Sequence, residues 1–178
     1  MSLSYALLAL LIDCPSSGYE LNKAFETSVG CFWKASHQQI YRELGKLEDS
    51  GWVKAESIPQ QGKPDKKVYT VTELGRQALT DWTAQPCNIS PVKEEILVKL
   101  FVGNLVEREV LQTHIETHRR RYEERLALYR MIETKGFADV HSLSVDDHFR
   151  YLTLRCGIQD ATSWIAWCDE VLDYLATL

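Results

Sequence analysis

The sequence predicts a mainly α-helical protein with one small β-hairpin, and three observations support this fold class. The segment 36–51 has a capped start, an apolar stripe at helical spacing and a terminal glycine. Two short β-rich runs follow, at 52–58 and 67–71, joined by a linker of Pro, Gly, Gln and Lys. In the C-terminal half, apolar residues recur every three or four positions. Together these observations predict an N-terminal winged helix-turn-helix followed by an antiparallel helical domain.

Composition describes an ordinary globular chain with an acidic balance. The 178 residues are 45% hydrophobic and 25% charged, with a net charge of −5, and such values are typical of folded domains. Residues 1–84 hold nine Lys and Arg against ten Asp and Glu, and the remainder holds eleven against fifteen. This balance argues against indiscriminate polyanion binding, whereas a local cluster of lysines still allows contacts with phosphate.

The cysteines and the N-terminal apolar run bear on the compartment. The cysteine count is odd and contains no C-x-x-C pair, so we expect free thiols in a reducing cytoplasm. The apolar run at 3–12 is too short to span a bilayer and lacks a basic flank and a cleavage site, so we expect no signal peptide. The five cysteines are Cys14, Cys31, Cys87, Cys156 and Cys168.

Capping residues set the predicted helix starts in the N-terminal half. Ser17 and Ser36 each begin a capping box, because a Glu or Gln follows three positions later. Thr72 is expected to cap a further helix. The predicted helices are 3–12, 18 to about 28, 37–50 and one from 73 onward. The residues predicted to face the core are Leu21, Ala24 and Phe25, then Ile40, Leu44 and Leu47, and finally Leu74, Ala78 and Trp82.

A proline-containing segment at 84–89 predicts a boundary between two domains, 1–85 and 86–178. The second domain is expected to contain one short and two long helices. They are predicted at 91–102, from 105 to about 136 and at 145–178, opened by Ser90-Pro91, by Asn104 with Glu107 and by Ser144 with Asp147.

Apolar spacing in the long helices predicts helix-on-helix packing and a dimer. The first long helix carries a near-heptad stripe, which is Leu111, Ile115, His118, Tyr122, Leu126 and Tyr129. The last helix is apolar on more than one side, and a second subunit is the simplest cover for so much surface. The residues predicted to make this homodimer contact are Tyr122, Leu126, Trp164, Trp167, Val171 and Leu175.

The polar face of the helix at 37–50 is a candidate surface for reading DNA. Opposite its apolar stripe lie Gln38, Arg42, Gly45 and Asp49, with Tyr41 and Lys46 at the flanks. In the major groove Gln pairs bidentately with adenine and Arg with guanine. Gly45 has no side chain and would allow close approach. The alternative is an ordinary solvated helix face.

Two further features fit contacts with phosphate. Lys63, Lys66 and Lys67 cluster at the hairpin tip and would reach phosphates or an adjacent minor groove. Alternatively, these lysines only protect a strand edge from aggregation. Tyr19 stands at the start of the second helix, where a helix N-terminus favours phosphate, although core packing explains a tyrosine there equally well.

Other patterns bear on effectors, metals and catalysis. A cavity near Trp82, Phe101 and His118 is a candidate effector site. His114 and His118 have metal-ligand spacing on a helix, but nothing nearby completes a ligand set, so no metal is predicted. No nucleophile elbow, P-loop, dinucleotide fingerprint or zinc-protease motif is present, so we expect neither an enzyme nor a cofactor.

Several stretches together resemble the PadR family of bacterial transcriptional regulators. They cover residues 3–76, and their combination is more specific than any one of them. The stretches are Leu3-Ser4-Tyr5-Ala6-Leu7-Leu8, Gly18-Tyr19-Glu20-Leu21, Ile40-Tyr41-Arg42-Glu43-Leu44 with Leu47-Glu48 and Gly51, Gly62-Lys63-Pro64-Asp65-Lys66-Lys67-Val68-Tyr69, and Thr72-Glu73-Leu74-Gly75-Arg76. The C-terminal half is similar in layout to the longer members of the family.

The resemblance implies a dimeric repressor that binds an inverted-repeat operator in the bacterial cytoplasm, on the nucleoid while bound, and that phenolic acids, drugs or other small aromatic compounds release. Positions matching the family's DNA contacts are Tyr19, Ser36, His37, Gln38, Gln39, Tyr41, Lys63 and Lys66. Ser17 replaces a frequent histidine and Lys63 a frequent arginine, which weakens a bidentate role for the lysine. Two rival hypotheses are a winged-helix protein-interaction module and a regulator that senses metal through His114 and His118 or oxidation through cysteines.

Overall fold

The computed structural model describes residues 3–31, 33–59, 62, 65–87 and 93–178. The side chains of Thr27 and Cys31 lie outside this description, as do Lys63 and the predicted helix start at Ser90-Pro91. The chain divides into two compact units, Met1–Ile89 and Ser90–Leu178, and each has an apolar core of its own. Within the described ranges, no helix is long and apolar enough to cross a membrane.

The N-terminal unit combines helices with a three-stranded antiparallel sheet. Its elements are α1 (Leu3–Leu11), β1 (Ser16–Ser17), α2 (Gly18–Thr27), α3 (His37–Asp49), β2 (Val53–Ile58), β3 (Lys66–Val71) and α4 (Glu73–Thr83). The strand order is β1-β3-β2. Val53 pairs with Val71 at one end of the predicted hairpin and Ile58 with Lys66 at the other, whereas Ser17 of β1 pairs with Val68. The two-residue strand β1 was not predicted, because two residues carry no periodicity.

Local hydrogen bonds confirm the predicted helix ends of this unit. Ser17 and Ser36 both form complete capping boxes, at the starts of α2 and α3. The Thr72 hydroxyl accepts a hydrogen bond from the backbone N–H of Gly75 and caps α4. Gly51 has a φ of 69° after α3, the left-handed conformation in which a helix commonly stops.

The core of the N-terminal unit corrects two predicted faces. Ile40, Leu44 and Leu47 of α3 are buried as expected. On α2, however, Ala24 is exposed and Asn22 is buried instead. On α4, Leu74 is exposed and Gly75 is buried, because the helix start docks so closely on Trp52 that only a glycine fits there. The remaining buried apolar residues are Leu7, Leu8, Leu11, Leu21, Phe25, Val53, Tyr69 and Val71.

The C-terminal unit is built on an antiparallel pair of long helices. Its helices are α5 (Glu95–Phe101), α6 (Arg108–Gly136) and α7 (Val145–Ala176). Arg119 Nε donates to Asp169 Oδ1 at 2.6 Å near the start of α6 and the end of α7. Near the opposite ends, Arg155 lies 3.4 Å from Glu133. The rings of Tyr122 and Trp164 stack between them, with centroids 5.4 Å apart.

The starts of these helices confirm one predicted cap, contradict another and shorten the first predicted helix. Ser144 caps α7 by accepting from the backbone N–H of Asp147. The short helix begins at Glu95, and residues 93 and 94 are not helical. The predicted Asn104–Glu107 box does not form, because Asn104 belongs to a 3-10 turn and Glu107 takes the cap position of α6 without a side-chain bond. That turn packs closely on Leu111 at Gly103, a contact that the cap pattern does not include.

Candidate nucleic-acid interface

One side of α3 anchors the helix while the other presents a row of polar side chains. The buried Ile40, Leu44 and Leu47 fix its rotation against the core. The predicted contact residues on the opposite side are all exposed, and they are Ser36, His37, Gln38, Gln39, Tyr41, Arg42 and Lys46. No described residue forms a hydrogen bond or ion pair with the guanidinium of Arg42, which therefore stays available for a ligand.

Some of these polar groups already have structural partners. Gln39 Oε1 accepts from the backbone N–H of Ser36 at 2.8 Å, and the Ser36 hydroxyl accepts from Gln39 in return. Lys46 Nζ donates to Glu43 at 2.9 Å, and Glu43 also accepts a hydrogen bond from Ser4 of α1, which lowers the pKa of the Glu43 carboxyl. Side chains of α3 that keep no such bond are therefore the better candidates for contact with a ligand.

The start of α2 is joined to α3 through Tyr41. A Cβ at Gly18 would overlap the ring of Tyr41, so glycine is the residue that admits this close approach. Tyr19, the next residue, is 74% exposed. This exposure removes the core-packing alternative for Tyr19 and leaves its phenol beside the α2 N-terminus, where it can reach a phosphate.

His37 is held to α2 by two residues that the sequence did not single out. Its Nε2 lies 3.0 Å from Glu26 Oε1 and 2.8 Å from Asn22 Nδ2. Asn22 is buried, and its Oδ1 has no hydrogen-bond partner among the described residues. This cluster positions the first residue of α3 relative to α2. Three polar residues spread over two helices leave no periodic signal by which to find them.

The β2–β3 hairpin (the wing, residues 53–71) has two described lysines on β3, and both form ion pairs. Lys66 Nζ donates to Glu20 Oε1 at 2.7 Å, and Lys67 Nζ donates to Glu48 Oε2 at 2.6 Å. The Lys67 ammonium also lies 5.5 Å from the ring centroid of Tyr69. The sequence predicted a cluster of Lys63, Lys66 and Lys67 here, and of the two that the structure describes, Lys66 and Lys67, each is paired with a carboxylate.

Each ion pair shifts the pKa of one of its partners. The hydrogen bond from Lys66, together with the bonds from Ser17, lowers the pKa of Glu20 to about 2. The hydrogen bond to Glu48 raises the pKa of Lys67. Glu20 and Lys67 are therefore charged at neutral pH, and anything that binds the lysines must compete with a carboxylate.

The residues predicted for dimer contact divide into buried and partly exposed groups. Tyr122, Val171 and Leu175 are buried within a single protomer, which leaves little of their surface for a second subunit. Leu126, Trp164 and Trp167 stay partly exposed. Four further apolar side chains are exposed on α5 and the turn that follows it, and they were not among the residues predicted for dimer contact. They are Val98, Phe101, Leu105 and Val106.

The three residues predicted for an effector site lie in different surroundings. Trp82, in the N-terminal unit, stacks on Tyr5 with ring centroids 4.6 Å apart. In the C-terminal unit Phe101 is 89% exposed, and the ring of His118 packs against Tyr122 and Trp164. Their assignment to effector binding stays a prediction.

His118 and His114 differ in environment although they are one turn apart. His118 Nε2 is buried without a hydrogen-bond partner in the described part of the chain, whereas His114 is exposed. Among the described residues, no three His, Cys, Asp or Glu side chains are grouped so that they could hold a metal ion. Burial lowers the pKa of His118 below its usual 6.5, so its ring is neutral at pH 7.

Replacing His118 with Phe is expected to reduce the loss of stability that acid causes in the C-terminal unit. A lowered folded-state pKa means that the unfolded chain binds the proton first, so the stability contributed by a neutral His118 is present above about pH 6.5 and lost as the pH falls through the folded value. The free energy of unfolding, measured in urea at pH 7.5 and 5.5, should fall less in His118→Phe than in the wild type.

The exposed His114 provides the matched control for this experiment. His114→Phe changes the same residue type at an exposed position of the same helix, so it controls for the loss of a histidine as such. An equal pH dependence in the wild type and His118→Phe would contradict the assignment.

The fold and the site define the class of winged-helix transcriptional regulators. This class combines an exposed helix anchored on a small core, a lysine-bearing hairpin and a pair of long helices. Comparison with known proteins agrees. The model of the PadR-like family of transcriptional regulators matches residues 7–81, and that of the virulence activator alpha C-terminal domain matches residues 92–176. A probable transcriptional regulator of Mycobacterium tuberculosis is 39% identical over 98% of both chains. The chain belongs to the PadR-like family of transcriptional regulators and is not an enzyme.

Other relatives match over nearly the whole length. The negative transcriptional regulator PadR of Bacillus subtilis is 31% identical, with 96% of this chain and 95% of PadR covered. The structure of PadR with operator DNA superposes with a TM-score of 0.84 at 30% identity, covering 97% and 98% of the two chains. The virulence activator AphA of Vibrio cholerae gives a TM-score of 0.81 at 33% identity and covers 99% of each chain.

Proposed function

We propose that this regulator binds operator DNA, with the exposed face of α3 in the major groove and the wing against the phosphate backbone. The observation that carries the proposal is that α3 is fixed by three buried residues while it presents on its outer face the guanidinium of Arg42, which has no ion-pair partner among the described residues. The solved complex of the related PadR with operator DNA supports the same use of the fold.

The regulator acts as a homodimeric repressor in this proposal. Two protomers would place two copies of α3 on half-sites of an inverted repeat, about 34 Å apart. Exposed apolar residues of the C-terminal unit, among them Phe101 and Leu105, offer surface for a second subunit to cover. The role of the related PadR as a negative regulator supports repression over activation. The dimer would work in the bacterial cytoplasm, on the nucleoid while bound.

A small aromatic compound is proposed as the effector that releases the DNA. PadR of Bacillus subtilis has been solved in complex with p-coumaric acid, and that structure superposes on this chain with a TM-score of 0.80 at 29% identity. Trp82, Phe101 and His118 remain the proposed residues of the effector site. In the proposed mechanism, the effector changes the separation of the two α3 helices so that they no longer match their half-sites.

An electrophoretic mobility shift with the promoter DNA of the gene itself tests binding and stoichiometry together. We expect a sequence-preferring complex of two protomers per inverted repeat, which weakens as salt increases because phosphate contacts release counterions. A scrambled duplex of equal length is the control. Equal affinity for both duplexes, or a complex insensitive to salt, would contradict the proposal.

A further inference from the structure

We propose that Glu20 and Glu48 compete with DNA phosphates for two lysines of the wing, Lys66 and Lys67. The two carboxylates hold these lysines in the unbound protein and thereby limit its affinity for DNA. This inference rests on the proposed function and concerns the regulation of the same surface. The wing lysines would exchange a carboxylate of their own chain for a phosphate each time that the protein binds.

The geometry ties both lysines to the helices that would face the DNA. Lys67 of β3 reaches Glu48 in the last turn of α3, and Lys66 reaches Glu20 in the first turn of α2. Lys67 pairs in register with Ser57 of β2, so the sheet fixes where the lysine starts. The buried Leu44 and Leu47 likewise fix the rotation of the α3 turn that carries Glu48. Both ends of the contact are therefore held by folded elements.

The ion pair between Lys67 and Glu48 reduces the number of cations that are released when the wing binds DNA. A free lysine that binds a phosphate releases a condensed cation from the DNA, and this release drives much of the binding. Lys67 must first leave Glu48, whose uncovered carboxylate attracts a cation in turn. The net release falls, so the wing contributes less to affinity than two unpaired lysines would. The N-terminal half, with nine basic and ten acidic residues, is balanced in the same way.

Glu48 allows the sharper test of the two carboxylates. Glu20 also accepts from the backbone N–H of Ser17 at 2.9 Å and from its hydroxyl at 2.8 Å, so its replacement would damage the cap of α2 as well. The carboxylate of Glu48 has Lys67 as its hydrogen-bond partner among the described residues. Glu48→Gln therefore removes the competing charge and leaves the helix caps intact.

The experiment compares Glu48→Gln with Glu56→Gln, a control that removes an equal charge from the neighbouring strand. Glu56 pairs with Lys54, at 3.2 Å, and with neither described wing lysine on β3. Dissociation constants for the promoter duplex are measured by fluorescence anisotropy at several salt concentrations. We expect Glu48→Gln to bind about two- to fivefold tighter than the control, as an exposed ion pair predicts. The slope of log K against log salt should steepen by up to about 0.9.

A double variant shows whether the gain in affinity caused by Glu48→Gln depends on Lys67. In Lys67→Gln, the added Glu48→Gln change should give no gain beyond that of Glu56→Gln. An equal affinity of the two single variants, weaker binding by Glu48→Gln, or a gain that persists without Lys67 would each overturn the inference. Failure of the wild type to bind the duplex would instead contradict the proposed function, so the two failures are distinguishable.

Discussion

Arg42→Ala is expected to weaken binding to the preferred operator by about 1–3 kcal/mol, the usual value of a side chain that reads a base. The guanidinium of Arg42 is exposed on α3 and unpaired in the described structure, so the wild type loses no internal bond when it binds DNA. Binding to operators altered at single base pairs should show relaxed specificity at one position per half-site.

The control for Arg42 is another exposed arginine of the same unit. Arg76 lies on α4, outside the proposed DNA surface, and Arg76→Ala removes the same charge and side chain. Dissociation constants of both variants, measured by fluorescence anisotropy at one salt concentration, separate base reading from general electrostatics. An equal loss in the two variants would show that Arg42 contributes only its charge.

Gly75→Ala is expected to destabilise the N-terminal unit by about 1–3 kcal/mol, as overpacking of a close contact does. A Cβ at this position would overlap the carbonyl oxygen of Trp52 and lie 3.1 Å from a methyl group of Val71. The carbonyl cannot turn away at low cost, because it accepts from the backbone N–H of Thr72 at 3.0 Å and from the Thr72 hydroxyl at 3.1 Å. The start of α4 would have to move off the wing.

Gly45→Ala is expected to have the opposite effect and to stabilise the N-terminal unit. No heavy atom lies within 4 Å of a Cβ at Gly45, and alanine in a helix interior is favoured over glycine by about 0.8–1.0 kcal/mol. Urea unfolding curves should therefore move to lower urea for Gly75→Ala and to higher urea for Gly45→Ala. A shift in the same direction for both variants would contradict the contacts described at Gly75.

The helix ends and the polar face of α3 could be predicted because they depend on neighbours in the chain. Ser17 and Ser36 bond to residues three positions away, and the rotation of α3 follows from apolar residues within two turns. The Asn104 cap failed for the complementary reason. The turn at Gly103 packs on Leu111 of α6, and a cap pattern that spans three residues does not report this contact.

The candidate site shows the same division. The exposed positions of α3, with Arg42 among them, follow from the helical period. The partners of the wing lysines do not, because Glu20 is 46 residues from Lys66, and Glu48 is 19 residues from Lys67. The burial of Asn22 could not be predicted either, because the helical pattern places apolar residues, not polar ones, on the buried face.

Sequence alone was sufficient for the winged-helix class, the caps at Ser17, Ser36, Thr72 and Ser144 and the exposed side of α3, because bonds within one helix and apolar periodicity are local properties of a chain. Folding decided which charges of that surface are free. It brings Glu20 and Glu48 onto Lys66 and Lys67, whereas Arg42 has no ion-pair partner in the described part of the chain. Ion pairing depends on distances of a few ångströms between distant segments, and only the packed helices and sheet establish those distances.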